Sequence, residues 1–364
     1  MHYQDERTHG CRISDAWTYR GLKTVVMENE LLRISIIADK GADIFEMVHK
    51  PSDTDLMWRT PWSVRNQALW VPSTGWGEGI FHDLYIGGWN TIAPTGGFEQ
   101  DYMGAEIGQH NETNMMPWDA QIVENSSDRV SAKFSVRAVR TPFWIEKTVT
   151  LESQSPVVTV IDTLINEAEE PAPAQWGQHV ALGDPFLTPN CILDFAGGDF
   201  IVPESPDGSV PPGSRLMPDR TGSWPVAEAP DGSEVDLTVF PPKSDRLVDY
   251  LSFNNLADGW YAVTNPDRGV GIGLRWDSEM FKYLWYWQVF GGHSGYPWYK
   301  RTYNVGLEPF TSLPSGMPEP GSDESTSMMF EPDESRSSTV RATIYESKSG
   351  VDGINEDGTV MLRT

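Results

Sequence analysis

The stretch RVSAKFSVRAVRTPFWIEKTVTLESQSPVVTVIDTLIN, residues 129–166, decides the predicted fold. Apolar and polar residues alternate within it at 129–139, 144–152 and 157–166, which is the period of half-buried β-strands. The polar segment SQSP between the last two runs indicates a turn. These residues therefore predict a meander of consecutive strands.

The same alternation recurs along most of the chain. It predicts two strands within 31–49, joined by a turn at Lys40-Gly41, and further strands at 269–276, 283–290 and 339–347. No long segment has a period of 3.6 residues, and we find no internal repeat. So many strands in one chain favour sheets stacked face to face, so we expect an all-β, large antiparallel β-sandwich with little helix.

Long loops rich in Gly, Pro and Asp separate some of the strands, notably at 202–214 and 314–326. Neither loop has the character of a linker between independent units, so we expect a single domain over residues 1–364. Loops of this length are often functional.

The charge balance excludes several classes of partner. The net charge is −25, from 52 acidic and 27 basic residues, and such a surface repels nucleic acids and anionic membranes. The polar start MHYQDERTHGCR lacks the apolar segment of a signal peptide, and no apolar run is long enough for a membrane helix. We therefore expect a cytoplasmic protein, and Cys11 and Cys191 give no disulfide framework.

The acidic excess also predicts adaptation to salt. The 52 acidic residues face only 27 basic ones, and Lys is scarcer than Arg. High ionic strength would screen the self-repulsion of such a surface. We expect a higher melting temperature in molar KCl than at low salt, measured by thermal melts, and equal or greater stability at low salt would contradict this halophilic interpretation.

One predicted strand carries a histidine among small residues. In QWGQHVALGDPF, residues 175–186, His179 shares its strand face with Gly177, Ala181 and Gly183. A glycine within a strand often marks the close approach of a ligand or of another backbone. His179 is either a hydrogen-bonded core histidine or a functional group on a face cleared of bulk.

A second strand presents a carboxylate in the same way. In YNVGLEPFTSLP, residues 303–314, Glu308 follows an apolar alternation and shares its face with Gly306. Glu308 is either the partner of a strand-end ion pair, for example with Arg301, or a catalytic base. A carboxylate that accepts a proton and an imidazolium that donates one form a general acid–base pair. Opening of a sugar ring needs such a pair, and we expect both side chains to face one cavity, separated by the width of a monosaccharide.

The order of these motifs resembles the galactose mutarotase-like (aldose 1-epimerase-related) superfamily, over roughly residues 25–315. Within it, the stretch GGWNTIAPTGG resembles the uncharacterised aldose-epimerase-like proteins. The segments that carry the resemblance are ISIIADKGADIFEMVHKPSDTDLMW (34–58), GGWNTIAPTGG (87–97), QHNETNMMPWDAQI (109–122), WGQHVALGDPFL (176–187) and VGLEPFTSLP (305–314).

The resemblance implies a supersandwich fold and cofactor-free interconversion of sugar anomers. It implies Glu308 as the base on the anomeric hydroxyl, His179 as the acid on the ring oxygen and His110 as a hydrogen-bond donor to the sugar. We therefore expect a small-molecule sugar or sugar derivative as the partner. A non-catalytic sugar-binding module, or a sugar lyase or hydrolase on the same fold, stays open, and the oligomeric state is not predicted.

Six further residues are weaker candidates for sugar contacts. His82 beside Asp83 and His293 in a Gly-rich loop could each reach a ligand or be structural, and Trp285 and Trp287 share a face that could stack on a sugar or pack in the core. Asp277 could accept a sugar hydroxyl or be a solvated turn residue. Arg140 could bind a carboxylate or phosphate, although a surface ion pair is the favoured interpretation.

The motifs of other enzyme classes are missing. The chain has no phosphate-binding Gly-Lys-Ser/Thr, no G-x-S-x-G and no complete dinucleotide fingerprint. No H-x-H, HExxH or cysteine pair has metal-ligand spacing, so no metal and no cofactor are expected. A metal held by distant His and Asp residues remains an alternative.

Overall fold

The computed structural model describes residues 9–69, 75–205, 208–314 and 326–364. Most of these residues form strands or the turns between them. In chain order the strands are β1 (Arg12–Tyr19), β2 (Leu22–Glu28), β3 (Leu32–Ile37), β4 (Asp43–His49), β5 (Thr54–Asp55), β6 (Trp89–Ile92), β7 (Gln100–Tyr102), β8 (Ala105–Ile107), β9 (Asp119–Asn125), β10 (Arg129–Arg137), β11 (Phe143–Glu152), β12 (Val157–Asn166), β13 (Ala172–Ala174), β14 (Gly177–Gly183), β15 (Ile192–Phe195), β16 (Asp199–Val202), β17 (Arg220–Ser223), β18 (Val226–Glu228), β19 (Glu234–Asp236), β20 (Leu247–Asn254), β21 (Trp260–Asn265), β22 (Val270–Arg275), β23 (Tyr283–Phe290), β24 (Tyr303–Phe310), β25 (Met328–Phe330), β26 (Ser335–Glu346), β27 (Val351–Ile354) and β28 (Val360–Leu362).

Two large sheets hold most of these strands. In the described ranges the larger sheet has 14 strands in the order β1-β2-β3-β4-β6-β14-β24-β23-β20-β16-β17-β18-β19, with β5 beside β4. The smaller sheet has 8 strands in the order β15-β21-β22-β26-β12-β11-β10-β9. One apolar core, with side chains from both sheets, lies between them. The predicted all-β antiparallel sandwich is confirmed.

The meander predicted from residues 129–166 forms β10, β11 and β12 in continuous register. Ala132 pairs with Val149, Val149 pairs with Val160, and Val160 pairs with Val340 of β26. These four side chains are at most 1 % exposed and belong to the core between the sheets. The alternation in the sequence is therefore the alternation between core and solvent faces.

Other predicted strands also agree with the structure. Residues 38–42 form the turn between β3 and β4, and the strand predicted at 283–290 coincides with β23. The predicted loop 202–214 begins at the last residue of β16 and is described except for residues 206–207. The predicted loop 314–326 lies outside the described residues apart from its two ends.

A buried polar cluster joins the two sheets behind the site described below. Gln178 of β14 donates a hydrogen bond of 2.6 Å to the carboxylate of Asp162 on β12, and Thr91 donates another of 3.0 Å. Lys40 pairs with Asp43 at 2.5 Å. Because an unpaired buried charge is costly, the two hydrogen bonds to Asp162 fix β6 and β14 against the opposite sheet.

Helix is scarce, as predicted. The α-helix α1 spans Gly77–Leu84, and short 3₁₀ turns lie at Thr113–Met115 and Lys243–Asp245. No helix among the described residues has the length and apolar character needed to cross a bilayer. Cys11 and Cys191 are both buried and do not form a disulfide.

Candidate active site

The site begins with two neighbouring strands of the larger sheet. Strands β14 and β24 pair so that Gly177 lies opposite Phe310 and Ala181 lies opposite Gly306. His179 and Glu308 occupy the positions midway between these pairs. Since alternate residues of a strand point to one face, both side chains leave the sheet at the same level and on the same side, away from the core. The predicted common orientation of His179 and Glu308 is confirmed.

The glycines beside His179 and Glu308 make room for other side chains. A Cβ at Gly306 would lie 2.2 Å from Oε1 of Glu308, so the carboxylate folds back over the glycine. Gly177 lies under the ring of Phe310 and Gly183 under the ring of Trp58. The face around His179 is therefore not open to a ligand at these two glycines, because aromatic rings fill the space.

The imidazole and the carboxylate are in direct contact. Nε2 of His179 lies 3.3 Å from Oε1 of Glu308, and both side chains are buried. The expected gap of one monosaccharide between them is wrong, so a sugar has to lie over the pair. Arg301 instead donates a hydrogen bond to the carbonyl of Pro297, so the proposed ion pair between Arg301 and Glu308 does not form.

Burial shifts the proton affinities of the pair in opposite directions. It raises the pKa of the Glu308 carboxyl well above its ordinary value, because a buried site disfavours the charged form. It lowers the pKa of the His179 imidazole well below its ordinary value, and the neighbouring His110 and Lys40 lower it further. Both shifts favour a pair that holds one proton in total.

Two tyrosines flank the pair. The hydroxyl of Tyr85 hydrogen-bonds with Nδ1 of His179 at 3.4 Å, which holds the ring plane. The half-buried Tyr250 hydrogen-bonds with Ser252 at 3.2 Å. Burial, and secondarily the charge of Glu308, raises the pKa of both phenols well above the ordinary value. Both therefore stay neutral hydroxyls beside the pair.

His179 and Glu308 line one cavity of about 280 Å³, close to the lower limit of about 300 Å³ for small-molecule pockets. We call it the central cavity. A larger depression of about 620 Å³ lies over β1–β4 and contains none of the predicted site residues. The lining residues of the central cavity are Trp76, Glu78, Phe81, His82, Tyr85, Gly96, Gly97, Phe98, Gln109, His110, His179, Tyr250, Trp285, Trp287, His293, Tyr296, Trp298, Glu308 and Pro314.

Three further predicted histidines reach the central cavity. The rings of His110 and His179 have centroids 5.5 Å apart, and α1 carries His82. His293 packs on Trp298 with a centroid separation of 5.3 Å. Burial lowers the pKa of His82 and of His110 to about 4. Nδ1 of each of these two rings is buried and has no protein hydrogen-bond partner.

The two predicted tryptophans share a face of β23, as expected. Trp285 lies opposite Glu308 and Trp287 lies opposite Gly306. Trp285 stacks on Phe310 with centroids 3.6 Å apart, so it is a packed wall. Trp287 is half-buried and leaves an aromatic edge in the cavity.

Two of the weaker candidates do not reach the cavity. Asp277 is exposed in the turn after β22, where its carboxylate accepts the backbone N–H of Glu279. Arg140 is exposed in the loop between β10 and β11, where its backbone N–H donates to the carboxylate of Glu112. Neither Asp277 nor Arg140 lines the central cavity, so the hypotheses of a sugar contact for Asp277 and of a substrate-anion contact for Arg140 are wrong.

Several cavity residues were missed by the sequence interpretation. Tyr85 follows α1 directly, and Trp298 packs against Trp58 and Trp287 at one side of the pair. Tyr296 bonds to Asp83 of α1 through its hydroxyl, at 2.7 Å. The aromatic run GYPWY (295–299) beside His293 was the available signal for the last two rings.

The described residues include no group of three or more His, Cys, Asp or Glu side chains placed to hold a metal ion. The four histidines of the central cavity instead contact aromatic rings, including those of Phe81, Tyr85 and Trp298. Acid–base chemistry is therefore what these side chains can supply by themselves.

Two histidines of the central cavity predict that the protein becomes less stable to unfolding as the pH falls. His82 and His110 have a pKa of about 4 in the fold and about 6.5 when unfolded, so the unfolded chain takes up protons first as the pH falls. Each histidine should cost about 3 kcal/mol of stability between pH 6.5 and 4. Urea unfolding across this range should show a shallower decline in His110→Gln than in the control His9→Gln. Equal slopes would contradict the expectation.

The chain matches one family model and no curated protein. The model, described as a domain of unknown function (DUF4432), matches residues 19–204, just over half of the chain. This match includes His110 and His179 but not Glu308. No curated protein matches the sequence.

Solved structures share the fold at low sequence identity. The Slr1438 protein from Synechocystis sp. PCC 6803 is 16% identical with a TM-score of 0.61, and the match covers 89% of this chain and 96% of that one. A galactose mutarotase-like protein from Clostridium acetobutylicum is 14% identical with a TM-score of 0.61, with coverage of 93% and 99%. A galactose mutarotase related enzyme from Lactobacillus acidophilus is 14% identical with a TM-score of 0.57, with coverage of 91% and 100%. The fold is thus that of the galactose mutarotase-like proteins, as the sequence resemblance implied.

Proposed function

The chain belongs to the DUF4432 family, a domain of unknown function, and we propose that it interconverts the α and β anomers of a neutral aldose without a cofactor. The observation that carries this proposal is the buried contact of 3.3 Å between His179 and Glu308 at the wall of a sugar-sized cavity. An acid and a base that share one proton fit a reaction that moves one proton between two oxygens of one substrate.

In the proposed reaction, the Glu308 carboxylate removes the proton from the anomeric hydroxyl while the His179 imidazolium protonates the ring oxygen. The bond between C1 and the ring oxygen breaks, and the open-chain aldehyde forms. After rotation about the C1–C2 bond, the ring oxygen attacks the other face of C1 and both proton transfers reverse. The pair holds one proton at every stage. The opposite pKa shifts favour this proton on Glu308 in the empty site, so in the proposed reaction it passes to His179 over the 3.3 Å contact before the carboxylate accepts the proton of the anomeric hydroxyl.

The surroundings of the pair support the same roles. The hydroxyl of Tyr85 contacts Nδ1 of His179, and this contact fixes the direction in which Nε2 points. His110 lines the central cavity and is neutral near pH 7 because burial lowers its pKa to about 4, so its ring can hydrogen-bond a sugar hydroxyl as an uncharged group. Trp287 offers an apolar surface to a sugar C–H face, a common use of aromatic rings in binding sites.

The charges of the cavity favour a neutral sugar. Among its described lining residues there is no Lys or Arg, whereas Glu78 and Glu308 are present. A phosphate or carboxylate on the substrate would leave water without a cationic partner. We expect a sugar phosphate or a uronate to bind at least about tenfold more weakly than the matching neutral aldose, which corresponds to about 1.4 kcal/mol.

Anomer-exchange NMR across neutral aldoses, uronates and sugar phosphates tests both parts of the proposal. Catalysed exchange of a neutral aldose, with little or none for its charged derivatives, is the expected result. Binding of an aldose without accelerated exchange would identify a sugar-binding module instead. Faster catalysed exchange of a charged derivative than of the neutral aldose would contradict the proposal that the cavity favours a neutral sugar.

A further inference from the structure

A second cavity lies beside the central cavity. A compartment of about 490 Å³ adjoins it and shares three lining residues, Tyr250, Trp287 and His293. We call it the side compartment. Its remaining lining residues are Val202, Pro203, Glu204, Pro211, Pro212, Ser214, Leu216, Pro218, Val248, Asp249 and Ser294.

The wall of the side compartment is fixed by buried polar contacts. The carboxylate of Asp249, which is 2 % exposed, accepts hydrogen bonds from Nε of Arg215 at 2.6 Å, from the Arg215 backbone N–H at 2.7 Å and from the Ser214 hydroxyl at 3.0 Å. Arg215 also donates to the side-chain oxygen of Gln288 at 2.8 Å. These contacts tie the loop before β17 to β20 and β23, and they use the carboxylate of Asp249. The exposed Glu204 is the other carboxylate among the described lining residues.

What remains for a ligand is mostly apolar. Prolines, valines and Leu216 supply most of the lining, together with the rings of Tyr250 and Trp287. Such a surface offers few hydrogen-bond partners for the hydroxyls of a second sugar, which would be costly to bury unpaired. It suits an aromatic or aliphatic group, whose burial is favourable in proportion to its apolar area.

Two of the residues shared by the two cavities, Trp287 and Tyr250, lie beside the acid–base pair. The ring of Trp287 has its centroid 6.1 Å from that of His179, and Tyr250 is close enough to Glu308 for its charge to raise the pKa of the phenol. A group that enters the side compartment is therefore attached near the reacting end of the sugar. The anomeric hydroxyl itself has to stay free for the proposed reaction.

We propose that the side compartment binds an apolar group carried by the substrate, so that the substrate class is a neutral aldose substituted on a hydroxyl near its anomeric carbon. This inference rests on the proposed function for the sugar ring in the central cavity. It adds a specificity site formed by the described lining residues of 202–204 and 211–218 and by Val248.

The test compares matched probes that keep a free anomeric centre. Glucose and galactose are compared with their 2-, 3-, 4- and 6-O-benzyl ethers, with binding followed by the quenching of tryptophan fluorescence. We expect at least one benzyl ether, most strongly the 2-O isomer, to bind about tenfold or more tightly than its parent. Val248→Asn should bring this ratio close to one, whereas Val239→Asn, at a valine that is 49% exposed elsewhere, should preserve it.

The result separates this inference from the proposed function. A benzyl preference that Val248→Asn removes supports the side compartment even when NMR shows no anomer exchange, and only the proposed function then fails. If no benzyl ether binds more tightly than its parent, or if the preference survives in Val248→Asn, the side compartment is not a subsite. Equal thermal melting of the two variants confirms that both are folded.

Discussion

Glu308→Gln should abolish catalysed mutarotation and leave sugar binding intact. The amide has the shape of the carboxylic acid and fits over Gly306, where a Cβ would lie only 2.2 Å from the carboxylate oxygen. It cannot accept the proton of the anomeric hydroxyl, and the loss of one acid–base group typically costs about 10²- to 10⁴-fold in rate. Polarimetry against the spontaneous rate measures the first effect, and fluorescence titration with the sugar measures the second.

The matched control for this substitution is Glu78→Gln, which changes a second glutamate of the central cavity. Glu78 lies on α1 and has no described contact with His179. Its substitution should lower the rate far less than Glu308→Gln does. An unchanged rate in Glu308→Gln would remove this carboxylate from the mechanism. The melting temperature of Glu308→Gln should equal or exceed that of the parent protein, because burial disfavours the ionised form of the Glu308 carboxylate.

The local part of the site could be predicted from the sequence. Alternation placed His179 and Gly177 on one face of a strand, and Glu308 and Gly306 on one face of another, because side-chain direction depends only on position within the strand. It also placed Trp285 and Trp287 together. Each of these statements concerns neighbours within a few residues, and the structure agrees with each.

The pairing of the two strands could not be derived in the same way. Ala181 lies opposite Gly306 although more than a hundred residues, including β15 to β23, separate them in the chain, and no local pattern states which strands become neighbours in a sheet. The resemblance to a known family named both residues but gave no distance. Direct contact between His179 and Glu308 is therefore a result of the sheet order, and the expected gap between them was wrong.

Gly177 and Gly183 show a second limit of prediction from the sequence. Gly177 and Gly183 indicated a cleared surface, but the missing side chains make room for Phe310 and Trp58. A sequence cannot distinguish a ligand from an aromatic ring that arrives from a distant segment. For Asp277, the structure shows the solvated turn residue that the sequence also allowed, because a short aspartate in a turn commonly accepts a nearby backbone N–H.

His179→Asn should lower the turnover by about 10²- to 10⁴-fold, the usual contribution of one acid–base group. The asparagine can still hydrogen-bond a sugar oxygen, but it cannot transfer a proton to it. Anomer exchange measured by NMR gives the rate, and sugar binding should change much less. His82→Asn, which changes a cavity histidine on α1, is the control and should retain most of the rate.

The double variant tests whether the two groups act as one unit. In the proposed mechanism the pair shares one proton over 3.3 Å, so either single change disables the transfer. The combined change should therefore lower the rate little beyond the slower single variant, as found for residues that act together. Multiplication of the two single effects would show that His179 and Glu308 act independently, and the shared-proton mechanism would be wrong.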